Sequence, residues 1–152
     1  MTLPINLLED SFDLVAPRGE ELIERFYDRL FATAPELKPL FVGTDMARQR
    51  QMLLGALVLL RKSLRNLAGI VPALQALGAR HATYGVLSEH YPLVGAALLA
   101  TMAEIGGSAW LPEYTRAWAD AYQIVQDTML SGVDASPSRT ADEALAANAA
   151  AA

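Results

Sequence analysis

The sequence contains no cysteine. Disulfides, thiolate zinc sites, iron–sulfur clusters and cysteine nucleophiles are therefore excluded. Basic residues are in the minority: 12 lysines and arginines stand against 17 aspartates and glutamates, for a net charge of −5. A chain of this size and sign is a poor nucleic-acid binder by bulk electrostatics. Long apolar runs are missing too. The longest, LLGALVLL at 53–60, is closed by Arg61 and Lys62, well short of the ~18 residues that a membrane span needs. No basic stretch followed by an apolar one opens the chain, so no signal peptide is expected. Together with the lack of cysteine, this suggests a cytoplasmic protein. No alternation of apolar and polar residues is long enough to read as a strand.

What is present is apolar and helical. Hydrophobic residues make up 53% of the 152, enough for one domain that buries roughly 70% of its unfolded surface. That much apolar surface must enter a core or surround a bound apolar ligand. Ile5, Leu8, Phe12 and Val15 form one helical stripe, ended by Pro17. After Gly19, residues Leu22, Ile23, Phe26, Tyr27, Leu30 and Phe31 face inward, while Glu20, Glu21, Glu24 and Arg25 face out. Pro35 ends that helix, and PELKPLF (35–41) gives a tight helical turn. Asp45 is placed to cap a helix over about 46–65. Its expected buried face is Leu53, Ala56, Leu57, Leu60 and Leu64.

The next helix carries the one residue with ligand chemistry on an apolar face. Leu74, Leu77, His81 and Tyr84 recur at steps of three, four and three. Neutral imidazole is the commonest protein ligand for a metal and the usual axial ligand of haem iron. Taken alone, His81 reads equally as a core histidine with hydrogen-bonded ring nitrogens. Gly85 breaks this helix. Ser88 is placed to cap the following one, which has Pro92 in its first turn and an apolar face of Tyr91, Val94, Leu98, Met102 and Ile105. Gly106 and Gly107 end it. The last long helix starts near Pro112, with Leu111, Tyr114, Trp118, Tyr122, Val125 and Met129 in step. Beyond it the composition shifts to turn formers and alanine. Thr140 and Glu143 have capping-box spacing, yet the segment has no apolar face to bury. The expected organisation is a domain over 1–130 and a flexible alanine-rich tail over 131–152. Six or seven helices of unequal length with short connections suit a globin-like packing better than an up-down bundle.

Five segments in order, FYDRLF (26–31), PELKPLF (35–41), HATYGV (81–86), HYPLVGAALLATM (90–102) and WADAY (118–122), resemble the single-domain bacterial globins and the globin domain of flavohaemoglobins. The resemblance implies an all-α globin fold around haem b, with His81 as the proximal iron ligand. His90, the competing histidine, falls where the pattern has a polar surface residue. Phe41 matches the phenylalanine that lies on the haem, Leu77 lines the proximal side, and Tyr27 matches the distal tyrosine. Counting back from Asn66 puts the distal glutamine at Gln49 and the apolar residue above the iron at Leu53. Gln51 is the rival, and choosing it would set Gly55 above the iron. Tyr91 matches the tyrosine of a proximal histidine–tyrosine–glutamate network, but the glutamate position falls on Ala135, with Asp134 adjacent. That network is expected to be incomplete or rebuilt.

The implied function is the binding of dioxygen, nitric oxide and carbon monoxide at pentacoordinate or weakly hexacoordinate iron. A hydroxyl and an amide donor suit a gas ligand that has gained electron density from the iron. The reaction associated with the family converts nitric oxide and dioxygen to nitrate. In flavohaemoglobins a flavin reductase domain follows where this chain stops, so a separate reductase is the expected electron source. A carrier, store or sensor of gas is the alternative. A haem-free helical protein would instead lack a Soret band. Arg48, Arg61, Lys62, Arg65 and Arg80 are candidates to meet the haem propionates.

Overall fold

A computed structural model describes residues 3–134. Among them are six α-helices and no strand: α1 (Ile5–Val15), α2 (Gly19–Thr33), α3 (Met46–Lys62), α4 (Val71–Thr83), α5 (Tyr91–Gly106) and α6 (Pro112–Asp134). The tail from Ala135 onward, with the Thr140 and Glu143 spacing, lies outside the described residues.

Local chemistry accounts for most of the boundaries. Pro17 sits in the tight 3₁₀ turn Ala16–Arg18 that separates α1 from α2, and a second 3₁₀ helix, Pro35–Phe41, follows α2. Asp45 caps α3 as expected, its carboxylate accepting from the Ala47 and Arg48 amides at 3.1 and 3.3 Å. Pro72 and Pro92 stand in the first turns of α4 and α5, where a missing amide hydrogen costs nothing. Gly85, at φ +93°, turns the chain out of α4 in a conformation that L side chains rarely adopt.

Four expectations are corrected. First, Ser88 caps nothing. Ser88–His90 forms its own 3₁₀ turn, so α5 begins at Tyr91, and the His90 Nδ1 accepts from the Leu87 amide at 2.9 Å. Second, α3 ends at Lys62, with Leu64 and Arg65 in the turn that follows, and Ala56 is exposed; Leu57 and Leu64 are buried, while Leu53 and Leu60 are half-buried. Third, Leu111 precedes α6 and is exposed rather than on its inner face. Fourth, α6 continues through Ser131–Asp134, beyond the boundary at 130, and Gly132 is buried.

The core is built from α1, α2, α5 and α6. Leu8, Phe12, Leu22, Ile23, Phe26, Leu30, Met102 and Trp118 are all nearly inaccessible. The Trp118 indole donates to the Ser11 hydroxyl at 2.7 Å, and that hydroxyl donates to the Leu7 carbonyl at 2.6 Å, so the one polar link across the α1–α6 contact is satisfied. With its flanking turns, α5 (Ser88–Ala109) is long and apolar enough by composition to cross a bilayer. Here that hydropathy serves the core: Tyr91, Gly95, Ala97, Leu98, Thr101, Met102 and Ile105 are buried in the protein.

The remaining helices are less enclosed. α3 packs on α2 and is tied to α1 at its far end, where Arg61 reaches Asp13 and Glu9 and Arg65 reaches Glu9. α4 packs on α6 and on the short turn before it, with no substantial face against α3. In consequence, Leu74, Leu77, His81 and Tyr84 are only half-buried, although they share the apolar face of α4.

Candidate functional site: an imidazole on an uncovered apolar face

α4 carries a cation at Arg80 on its outer side and His81 on its apolar stripe. The His81 Nδ1 lies 2.8 Å from the Leu77 carbonyl oxygen, one turn back. A carbonyl can only accept, so Nδ1 carries the proton and the lone pair is on Nε2. Nε2 has no hydrogen-bond partner, and no buried side-chain nitrogen or oxygen is left unpartnered among the described residues. It therefore opens onto accessible space. Desolvation is the main cause that pulls the His81 pKa below its ordinary value of 6.5; the Leu77 carbonyl opposes this and the nearby Arg80 charge adds to it. The ring is half-buried, and that partial removal from water is what disfavours its charged form.

That shift has a consequence for stability. The folded pKa lies below the unfolded one, so the neutral ring's contribution is complete above about pH 6.5 and is lost as pH falls from there through the folded value. Denaturant unfolding of the haem-free protein should show its midpoint dropping between pH 7 and 5. In a His81→Leu variant the drop should shrink. An equal drop in both would show that His81 does not titrate in this way.

Elsewhere, α2 and α3 bring two polar groups together inside an aromatic shell. Tyr27 is buried, with Phe26 at 4.9 Å and Phe41 at 5.8 Å between ring centroids, both edge-on. Phe31 stands edge-on to Phe41 at 5.3 Å. The 3₁₀ helix after α2 is what swings Phe41 back against these rings. The Gln49 amide nitrogen donates to the Tyr27 hydroxyl at 3.3 Å. Gln51, two residues on and so on the opposite side of α3, is exposed. Burial raises the Tyr27 pKa, so the phenol keeps its proton, which is committed to no acceptor. One turn along α3 from Gln49, Leu53 is half-buried and packs on the core edge.

Among the described residues, His81 and Tyr91 are not linked by a side-chain hydrogen-bond chain. His81 bonds a neutral carbonyl. Tyr91 is buried, burial raises its pKa, and its hydroxyl makes no hydrogen bond among the described residues. Tyr122 donates to the Tyr91 main-chain carbonyl at 2.6 Å instead. Ala135 and the side chain of Asp134 lie outside the described residues. Of the five propionate candidates, Arg61 and Arg65 are engaged with α1. Arg48, Lys62 and Arg80 make no ion pair among the described residues.

The donor set fits porphyrin iron better than a bare metal ion. No group of three or more histidine, aspartate or glutamate side chains that could hold an ion occurs among the described residues. A single imidazole suffices when a macrocycle supplies the other four nitrogens. Two surface hollows, one along Pro92, Leu99 and Tyr122 between α5 and α6, the other at Ala16–Glu21, touch none of Tyr27, Gln49 or His81.

The globin family model matches residues 24–129, and this span takes in both the imidazole and the tyrosine–glutamine pair. The chain belongs to the globin family. It is 33% identical over 129 residues to a flavohemoprotein of Bacillus thuringiensis, covering 84% of this globin and 32% of that protein. A flavohemoprotein of Vibrio cholerae is 32% identical over 120 residues, 78% of this globin and 30% of the relative. The globin thus spans about a third of the length of these curated relatives. Among solved structures, a bacterial globin of Campylobacter jejuni superposes with a TM-score of 0.74 at 26% identity, covering 86% of this globin and 94% of that chain. An engineered carbene transferase, made from a candidate nitric oxide dioxygenase of Rhodothermus marinus, superposes at 0.77 with 25% identity, covering 86% and 90%. Membership of this family implies haem and gas binding.

Two residues beside the site were not singled out in the sequence, Gly78 on α4 and Gly132 on α6. The signal available for Gly78 was a glycine in a helix interior, a position where it costs about 1 kcal/mol against alanine and needs a packing reason.

Proposed function

We propose that this globin holds haem b on the Nε2 of His81, binds dioxygen, nitric oxide and carbon monoxide opposite it, and supports nitric oxide dioxygenation in the cytoplasm with electrons from a separate reductase. The observation that carries the reading is the lone pair of His81, oriented by the Leu77 carbonyl and left without a partner among the described residues, on an apolar face that they only half cover. When bound, haem supplies an iron atom that takes diatomic gases and exchanges electrons with them. The chain supplies the surroundings. Leu77, Leu53 and Phe41 offer apolar surface to the macrocycle. Arg48, Lys62 and Arg80 are the cations left to meet its carboxylates. Tyr27 keeps a proton to donate to a polar gas ligand, and Gln49 holds that phenol in place while its second amide hydrogen remains for the same purpose. The aromatic shell of Phe26, Phe31 and Phe41 keeps water from competing for these donors.

One observation favours a carrier or sensor instead. A neutral carbonyl behind His81 makes the imidazole a weaker electron donor than a carboxylate partner would. The two readings separate in one experiment. The reduced, air-equilibrated protein is mixed with nitric oxide, and nitrate and re-reduction by cell extract are timed. Stoichiometric nitrate with rapid re-reduction supports dioxygenation. Slow re-reduction supports carriage or sensing. A purified protein with no Soret band overturns both.

A further inference from the structure

We propose that Gly78 and Gly132 are positioning residues for His81. They allow the backbones of α4 and α6 to touch, and that contact sets where the imidazole stands. The inference rests on the haem reading above.

A Cβ added to Gly78 would overlap the Met129 carbonyl oxygen and come within 2.7 Å of the Met129 Cα. A Cβ on Gly132 would overlap the Gln75 carbonyl oxygen and come within 2.6 Å of the Gln75 Cα. The two contacts share one antiparallel register: three residues back along α4 is three residues forward along α6. The Gln75 amide donates to the Ser131 hydroxyl at 3.2 Å along the same seam. Gly78 is the one α4 residue that is buried. The three nearest atoms that a new methyl would meet at each position belong to the main chain, so no side chain can turn aside to relieve the overlap. The helices would have to part, by on the order of 1 Å.

The direction of that movement matters. At about 100° per residue, Gln75 and Gly78 point to α6, while His81 points about a quarter turn away and Leu77 and Tyr84 farther round on the same side. Parting α4 from α6 therefore carries His81 sideways to the direction in which its side chain leaves the helix, rather than along it. An imidazole displaced in this way would meet bound haem off its favoured geometry. A group that binds a cofactor directly tolerates only roughly 0.5 Å of misplacement. α4 has no other large packing partner to resist the shift.

The test compares Gly78→Ala and Gly132→Ala with Gly55→Ala, an α3 glycine whose added Cβ would meet nothing within 4 Å. The readouts are the iron–histidine stretching band of the ferrous protein by resonance Raman, haem transfer to excess apomyoglobin, and helicity by circular dichroism. In Gly78→Ala the band should fall in frequency and broaden, and haem loss should speed by about 10- to 100-fold. Gly132→Ala should show the same signs in smaller degree, because α6 can yield near its end. Gly55→Ala should match the parent. If Gly78→Ala does not fold, Gly132→Ala decides alone. Folded variants with the parent band and the parent rate of loss, beside a parent with a normal Soret band, overturn the positioning role and leave the haem reading standing. A parent with no Soret band overturns both.

Discussion

Replacing His81 with alanine is expected to yield a helical protein that purifies without stoichiometric haem. The fold should survive, because the core of α1, α2, α5 and α6 does not include α4, and α4 is held to α6 by backbone contact at Gly78 and Gly132 rather than by the imidazole. The iron, however, would lose its one protein ligand, and the apolar slot alone would bind the macrocycle weakly and in more than one orientation. Losses beyond the 10- to 100-fold that removal of an outer-shell partner brings are expected, roughly 100-fold or more in affinity. Added free imidazole should restore part of the Soret band, since it can enter the space left by the ring. The measurements are the haem-to-protein ratio and the spectrum with and without imidazole. A variant with full haem content and an unchanged axial spectrum would assign the ligand to another residue.

Replacing Tyr27 with phenylalanine is the change with the next largest effect. The ring is retained, so its edge-on contacts with Phe26 and Phe41 persist and the site keeps its shape. What disappears is one O–H donor. A hydrogen bond to a partly charged acceptor contributes about 1.5–3 kcal/mol, and each 1.4 kcal/mol is a factor of ten. Dioxygen should therefore leave the reduced variant roughly 10- to 100-fold faster, measured by displacement with carbon monoxide in a stopped-flow spectrometer. Carbon monoxide release, from a less polarised ligand, should change far less. Because burial raises the Tyr27 pKa, the difference between parent and variant should hold across neutral and mildly alkaline pH. Equal dioxygen off-rates would remove Tyr27 from the proposed site.

The helices were legible because their punctuation is local. Pro17, Pro35, Asp45, Gly85, Pro92 and the Gly106–Gly107 pair act through their own backbone geometry, and the structure breaks the chain at each of them. Ser88 misled because the choice between a cap and a 3₁₀ turn depends on how the Leu87–His90 segment closes on itself, which involves the His90 ring. Ala56 misled for another reason. It sits in step with buried leucines on a helix so apolar that periodicity no longer separates the inner face from the outer one. Within the proposed site, the expected roles of Tyr27, Phe41 and His81 come from resemblance. The preference for Gln49 over Gln51 rested on counting, and the geometry adds to it a hydrogen bond that counting could not supply. The glycine crossing was illegible because it depends on two residues 54 positions apart (132 − 78) finding the same register.

The bond from Gln49 to Tyr27 has a polarity. The amide gives a hydrogen to the phenolic oxygen, leaving that oxygen's own hydrogen pointed elsewhere. When the phenol gives its hydrogen to a guest, its oxygen becomes richer in electrons and accepts the amide more strongly. On the proposed reading the two side chains would form a short relay in which each link tightens the next, so a substitution at Gln49 would be felt by a gas molecule even where the amide never reaches it.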